Sequence, residues 1–271
     1  MHCNVCANFA PMKIATFNVN SIKARVETVL TWFKQASPDV ACLQEIKCET
    51  NAFPAFELEA LGYHCAVLGQ KSYNGVALIS KHKIEDVQLG LPGDDGDEQA
   101  RYIEGVVATK AGAVRVASIY APNGNPVDTD KYPYKLKWMD RLIARTAKLL
   151  EHEELLVLGG DYNIIPTVDD CYDPKAWEND ALFKLETRRK LRELVNLGLT
   201  DAFRACNAQP KQYTFWDYQA GAWQKDNGIR IDHLLLSPQA ADRLKTCKID
   251  KHTRGWEKPS DHVPIWCELA A

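Results

Sequence analysis

Polar residues with chemical capability stand where apolar runs end: Asn18 and Asn20, Glu45, Tyr120, Asp161 and Asn163, Asp232, and the pair Asp261-His262. Asn18 and Asn20 are two apart, as are Asp161 and Asn163, so in extended chain each pair shares a face. An ionised carboxylate at the end of an apolar strand is costly unless a cation or hydrogen-bond donors meet it. Glu45 offers the hard oxygen that Mg²⁺ prefers, an ion that takes few protein carboxylates and keeps waters. Asp261 or Asn18 can reach the same ion, directly or through water. His262, flanked by acids, can serve as donor or acid, with Asp232 setting its tautomer. An ion, an oriented base and neutral donors together suit attack of water on a phosphodiester, whose transition state gathers negative charge on phosphoryl oxygens.

Taken singly, each residue has a plainer use. Asn18 or Asn20 can cap a turn, Glu45 can pair with Lys47, Tyr120 can be a core ring with its hydroxyl at the surface, and Gly160-Asp161 can be a turn. The combination carries the chemical reading.

The elements that must position these residues are legible in outline. Residues 13–20, 40–45, 63–68, 75–80, 102–109, 114–120, 155–159, 229–236 and 263–269 read as strands. Apolar residues at 22, 26, 29, 30 and 33 mark a helix ended by Ser37-Pro38, and those at 136, 139, 143, 147 and 150 mark a second. A third spans 186–197 and closes at Gly198. Strands outnumber helices and come in runs, which predicts two sheets with covering helices. Side chains from distant positions converge where strands end.

The chain has 271 residues, 46% of them hydrophobic and 25% charged, with a net charge of −3. This balance excludes a disordered chain, a collagen-like repeat and a small disulfide scaffold. No apolar run is long enough for a membrane span, and the N-terminus lacks a secretory pattern. Cysteines within apolar strands, such as Cys42 and Cys267, read as buried thiols in a reducing compartment. Cys3-x-x-Cys6 has half the spacing of a zinc site, but no second pair follows. Charge is uneven: residues 85–104 hold seven acids against one arginine, whereas 184–211 and 245–258 carry net charges of +4 and +3. Basic segments commonly serve solubility; two of them make a polyanion-binding face plausible.

The segments Phe17-Asn-Val-Asn20, Leu43-Gln-Glu-Ile-Lys47, Gly75-Val-Ala-Leu78, Tyr120-Ala-Pro-Asn-Gly124, Gly160-Asp-Tyr-Asn163, Ile229-Arg-Ile-Asp232 and Ser260-Asp-His262 resemble, in this order, motifs of the exonuclease III group of AP endonucleases. That group lies within the endonuclease/exonuclease/phosphatase, DNase I-like superfamily. A lone GDxN or SDH is weak; seven ordered matches across residues 13–269 are strong.

The resemblance implies an α/β (α+β) four-layered sandwich, two packed, mainly antiparallel sheets flanked by helices. It implies a Mg²⁺- or Mn²⁺-dependent DNA-repair phosphodiesterase acting on double-stranded DNA at abasic sites and 3′ ends, with 3′-phosphatase activity within range. By the same resemblance Glu45 is the principal metal ligand, with Asn18, Asn20 and Asp261 close by. Asp161 orients or deprotonates the attacking water, and Asn163 holds it and a phosphate oxygen. His262, paired with Asp232, contacts the scissile phosphate, and Tyr120 donates to the phosphate or helps the leaving group. Phe215, Trp216, Ile229 and Ile231 line a small pocket for a base-less sugar turned out of the duplex. The alternative use of Phe215 and Trp216 is as core aromatics. Lys71, Tyr73 and Asn74 hold the DNA backbone without reading sequence.

The expectation is one domain, residues 12–271, behind a flexible extension of residues 1–11, working as a cytoplasmic monomer of bacterial type, nucleoid-associated and free of membrane. The superfamily leaves an alternative, the same chemistry on inositol phosphates or phospholipid headgroups. A silent DNA-end binder on this fold is opposed by the presence of Asp161, Asp232 and His262 together. Residues 166–185, where family members differ, bear on the choice between incision and 3′-end trimming.

Overall fold

The computed structural model describes residues 11–109 and 112–270. Cys3, Cys6 and the rest of residues 1–10 lie outside the described residues.

The strands are β1 (Met12–Asn18), β2 (Val40–Gln44), β3 (His64–Leu68), β4 (Val76–Ser80), β5 (Ile84–Leu89), β6 (Tyr102–Thr109), β7 (Gly112–Tyr120), β8 (Leu155–Asp161), β9 (Thr200–Asp201), β10 (Asp232–Leu236), β11 (Leu244–Ile249) and β12 (Ile265–Leu269). The α-helices are α1 (Val26–Ala36), α2 (Ala55–Glu59), α3 (Lys131–Leu150), α4 (Pro174–Trp177), α5 (Leu185–Val195), α6 (Ala202–Cys206) and α7 (Pro238–Ala241). The strands form two six-stranded sheets, ordered β11-β12-β1-β2-β4-β3 and β5-β6-β7-β8-β10-β9. Only β1–β2 and β7–β8 pair in parallel among the described strands.

Alternation along the strands explains the layering. In β1, Ile14 joins the core between the sheets, while Ala15 and Phe17 pack under Trp32 and Phe33 of α1. In β8, Val157 faces the shared core, while Leu156 and Leu158 meet Met139 and Leu142 of α3 and Leu191 and Leu194 of α5. Strands apolar on both faces, such as β2, are those covered on both sides. The result is a four-layered sandwich, helix, sheet, sheet, helix. No helix among the described residues is long and apolar enough to cross a membrane.

Helix α1 ends where Ser37-Pro38 led one to expect, at Ala36, because Ser37 turns left-handed at φ 45 and its N–H bonds back to the Phe33 carbonyl at 2.9 Å. Other expectations shift. The buried face of α3 is Lys135, Trp138, Met139, Leu142, Thr146 and Leu149, rotated from the apolar series read in the sequence. Two polar residues inside that face displaced the reading. Strands β5, β9 and β11 lie in segments too polar or too short to stand out. Residues 229–231 precede β10: Ile229 instead bridges both Cys171 and Phe215.

Candidate active site

Strand register gathers the polar ends. Asn18 lies beside Gln44 across β1–β2, so Glu45 leaves its strand next to Asn18. Asp161, the last residue of β8, has Tyr120 of β7 on one side and Asp232 of β10 on the other. Just before Asp161, a Cβ on Gly160 would lie 2.0 Å from the Ile119 carbonyl oxygen, so only glycine permits this approach. A bridge between Phe215 and His262 carries the Ser260-Asp261-His262 segment to the same edge, and the Ser260 hydroxyl donates to the Asn18 carbonyl at 2.8 Å.

The side chains then interlock. The Asn18 Nδ2 donates to Glu45 Oε1 at 2.8 Å and to Asp161 Oδ2 at 2.9 Å. With its amide nitrogen turned to both acids, Asn18 orients them. Asn20 Nδ2 donates to Asp261 Oδ1 at 2.9 Å, and Lys47 Nζ bridges Asn20 Oδ1 at 2.5 Å and Glu45 Oε2 at 2.8 Å. The Asn163 N–H donates to Asp161 Oδ1 at 2.8 Å, while its Nδ2 donates to the Ala121 carbonyl at 2.9 Å. His262 Nδ1 lies 2.8 Å from Asp232 Oδ2, and its Nε2 lies 3.8 Å from Asp161 Oδ2. Asn20, Glu45 and Asn163 sit at left-handed φ values of 42, 50 and 50. Non-glycine residues pay for that conformation, and such strain clusters where function holds a residue in place.

Burial and charge tune these groups. Burial pushes the His262 imidazole toward its neutral form, but the Asp232 and Asp161 carboxylates outweigh it and raise its pKa to about 10. Burial raises Asp161; His262 opposes the rise, and the Asp232 and Glu45 carboxylates add to it. Burial also lifts Glu45, yet the Lys47 ammonium and the Asn18 amide bring it below the usual carboxylate value. The Tyr120 phenol is raised well above its ordinary value, first by burial and then by the Glu45 carboxylate. Glu45, Asp161 and His262 offer ligand atoms all within 4.8 Å of one another, a group that can hold a metal ion. Two carboxylates converging in this way fit a hard divalent cation.

The expected DNA-contacting residues divide. Lys71 is exposed and Tyr73 is 72% exposed, whereas Asn74 is buried and donates to Gln70 Oε1 at 2.8 Å. Phe215 is half-buried with its ring edge-on to His262, centroids 4.9 Å apart. It packs on the cluster of Ile229 and Ile231, both buried, against which Trp177 of α4, from the 166–185 segment, also packs. Trp216 points away into a core with Tyr213, Ala222 and Val263, its Nε1 donating to Asp226 Oδ1 at 3.0 Å. Asp261 meets the group at its rim, accepting from Asn20 Nδ2 at 2.9 Å and from the Ser260 hydroxyl at 3.3 Å.

Residue-type reasoning missed Lys135, Asn123 and Trp177. Lys135 is wholly buried, and burial pulls its ammonium down to about 7 against the Asp161 and Asp180 carboxylates. A lysine inside an apolar helical stripe was the available signal. The Asp170–Arg230–Asp201 ion-pair group, with Arg230 Nε 2.7 Å from Asp170 Oδ1 and Nη1 2.8 Å from Asp201 Oδ2, braces the segment that carries Ile229 and Ile231 into β10.

The profile of the Endonuclease/Exonuclease/phosphatase family matches residues 15–262. The chain belongs to this family. Within it, the chain is 34% identical to exodeoxyribonuclease III of Haemophilus influenzae, over 95% of this chain and 100% of that protein. Its fold superimposes with a TM-score of 0.91 on an AP endonuclease from Archaeoglobus fulgidus, 37% identical, covering 96% of this chain and all of that one. A Neisseria 3′ phosphatase, NExo, bound to a product DNA hairpin gives a TM-score of 0.92 at 39% identity, with the same coverage. The family's profile begins in β1 and ends at His262, so it contains every strand-end residue named above.

Proposed function

We propose that the chain is a metal-dependent phosphodiesterase of duplex DNA, cutting 5′ to abasic sites and removing nucleotides or blocking groups, including 3′-phosphates, from 3′ ends. The observation that carries this reading is the group Glu45, Asp161 and His262, within 4.8 Å, with Phe215 packed on His262. The activities named for relatives of similar length, an exodeoxyribonuclease, an AP endonuclease and a 3′ phosphatase, agree with it.

The roles follow from the electrostatics. Asp161, its basicity raised by burial, is the better candidate to take a proton from water at neutral pH. His262, held as imidazolium by its two acids, is a donor to phosphoryl oxygen and not a base. Its ring orientation comes from Asp232. Asn163, fixed at its N–H and Nδ2, holds Asp161 and the reacting edge. The Tyr120 phenol stays protonated and can give a hydrogen bond to the leaving oxygen. Mg²⁺ or Mn²⁺, held by the Glu45 carboxylate that Asn18 orients, would polarise a phosphoryl oxygen and leave Asp161 free to act as the base. The half-buried Phe215, against Ile229 and Ile231, suits a sugar that carries no base. Exposed Lys71 and Tyr73 suit backbone contacts.

The deciding experiment uses a 5′-labelled duplex with one abasic-site analogue, assayed with Mg²⁺ and with EDTA. A Mg²⁺-dependent single cut on the 5′ side is expected. A ladder shortening only from the 3′ end would keep the chemistry and move the specificity to 3′-end processing. No cleavage of either kind would sink the DNA reading and direct the assay to inositol phosphates and phospholipid headgroups.

A further inference from the structure

Lys135 of α3 has no exposed surface. Its Nζ donates to two backbone carbonyls, Asn123 at 3.0 Å and Asn163 at 2.5 Å. These carbonyls belong to the loops that leave β7 and β8, the parallel neighbours that present Tyr120 and Asp161. The same two loops are tied a second time, by Asn123 Nδ2 donating to Asn163 Oδ1 at 3.2 Å. Asn163 is thus held at its carbonyl, its N–H and both ends of its side chain, at the left-handed φ of 50.

The loop is shaped around the lysine. A Cβ on Gly124 would lie 2.7 Å from Lys135 Cδ, and Gly124 itself has φ +90, which side chains rarely adopt. Packing alone does not call for an ammonium here. A buried charge is costly unless fully bonded, and an apolar side chain of similar volume commonly fills such a space at no loss of stability.

We propose that Lys135 is a positioning residue: its ammonium clamps the Asn123 and Asn163 carbonyls together and so sets the Asn163 carboxamide against Asp161. The assignment rests on the reading of Asp161 and Asn163 as the reacting edge. Lys135 touches no substrate in this scheme. It acts through Asn163, whose displacement by about 1 Å is enough to cost on the order of a hundredfold in rate.

The test is a double-mutant cycle with Lys135→Met and Asn163→Ala, read as kcat and KM on the abasic duplex. Lys135→Met is expected to lower kcat tenfold to a hundredfold with KM within about twofold. In the Asn163→Ala background the same change is expected to move kcat less than about threefold, because residues acting through one another are not additive. An unchanged kcat, or an equal loss in both backgrounds, would overturn the proposal. Lys135→Leu, which likewise offers no donor, replaces Lys135→Met should the latter not fold. Amide hydrogen exchange gives a readout independent of turnover: Lys135→Met should speed exchange at Tyr162 and Asn163, just past β8, while β8 itself keeps its protection. A uniform rise over all strands would mark a merely structural residue and also overturn it. Should the wild-type protein cleave no DNA, the functional reading fails, and the exchange experiment still decides Lys135.

Discussion

His262 Nδ1 and Asp232 Oδ2 are 2.8 Å apart, and the other Asp232 oxygen, Oδ1, is buried with no hydrogen-bond partner among the described residues. The carboxylate therefore spends its bonding on one imidazole. With His262 held as imidazolium, that bond takes the Nδ1–H and leaves Nε2 turned toward Asp161, 3.8 Å away. Asp232→Asn should keep the fold and lower kcat by about 10²–10⁴-fold, the range of a misplaced acid–base group. Steady-state kinetics with circular dichroism on the same samples checks this; near-normal turnover would remove Asp232 from the site.

The same pair makes stability depend on pH. His262 is raised from about 6.5 to about 10, so it adds stability that is fully present below 6.5 and is lost as pH rises through 10. Melting curves in EDTA should show the gap between wild type and His262→Gln narrowing across that window. A gap independent of pH would contradict the raised value.

Glu45 meets Lys47 at 2.8 Å and Asn18 at 2.8 Å, both of which favour its ionised form. Calorimetric titration with Mn²⁺ should show Glu45→Gln binding at least about tenfold more weakly than wild type. Chelation of the wild-type protein should abolish cleavage. Equal affinity in the variant would move the cation site elsewhere.

Asp170 is buried beside Arg230 and Arg204. Burial raises its pKa, but the two guanidiniums outweigh this and bring it down to about 2. Its contribution is therefore present above about 3.9 and lost as pH falls toward 2. Arg230→Met takes the guanidinium from Asp201 and leaves Asp170 with Arg204 alone, and should cost about 3–5 kcal/mol in urea unfolding at neutral pH. A loss below about 1 kcal/mol would show the acids re-pairing with other donors.

Phe215 lies edge-on to His262, whereas its neighbour Trp216 is core. Phe215→Ala should reduce the preference for abasic over intact duplex, measured as a ratio of kcat/KM, by about tenfold or more. Trp216→Ala should act on stability instead, at about 3–5 kcal/mol. Reversed effects would exchange the two assignments.

The sequence shows the strand-end pattern plainly because mostly apolar strands of five to seven residues end in Asn18, Gln44 and Asp161, and register is tied to the apolar pattern. It hides what breaks the pattern. Lys135 and Thr146 occupy the buried face of α3, so the apolar series is rotated off its centre, although Met139, Ile143 and Leu150 still pack there. The edge strand β11 carries exposed Lys245 and Lys248, has an irregular register near its start, and has no apolar run. Phe215 and Trp216 are indistinguishable by type, and only the bridges from Phe215 to Ile229 and His262 separate them.

Chemical identity was determined by the sequence alone: the acids, amides, phenol and imidazole at the strand ends, the glycine before Asp161, and the alternation that makes two covered sheets. Which of those groups touch was decided by the tertiary structure. Asn18 reaches Asp161 across 143 residues and Asn20 reaches Asp261 across 241. Such contacts follow from strand order and sheet packing, which no local periodicity records. The same packing buries Lys135 and sets the charges around His262 and Asp161, because proton affinity depends on neighbours in space and not along the chain.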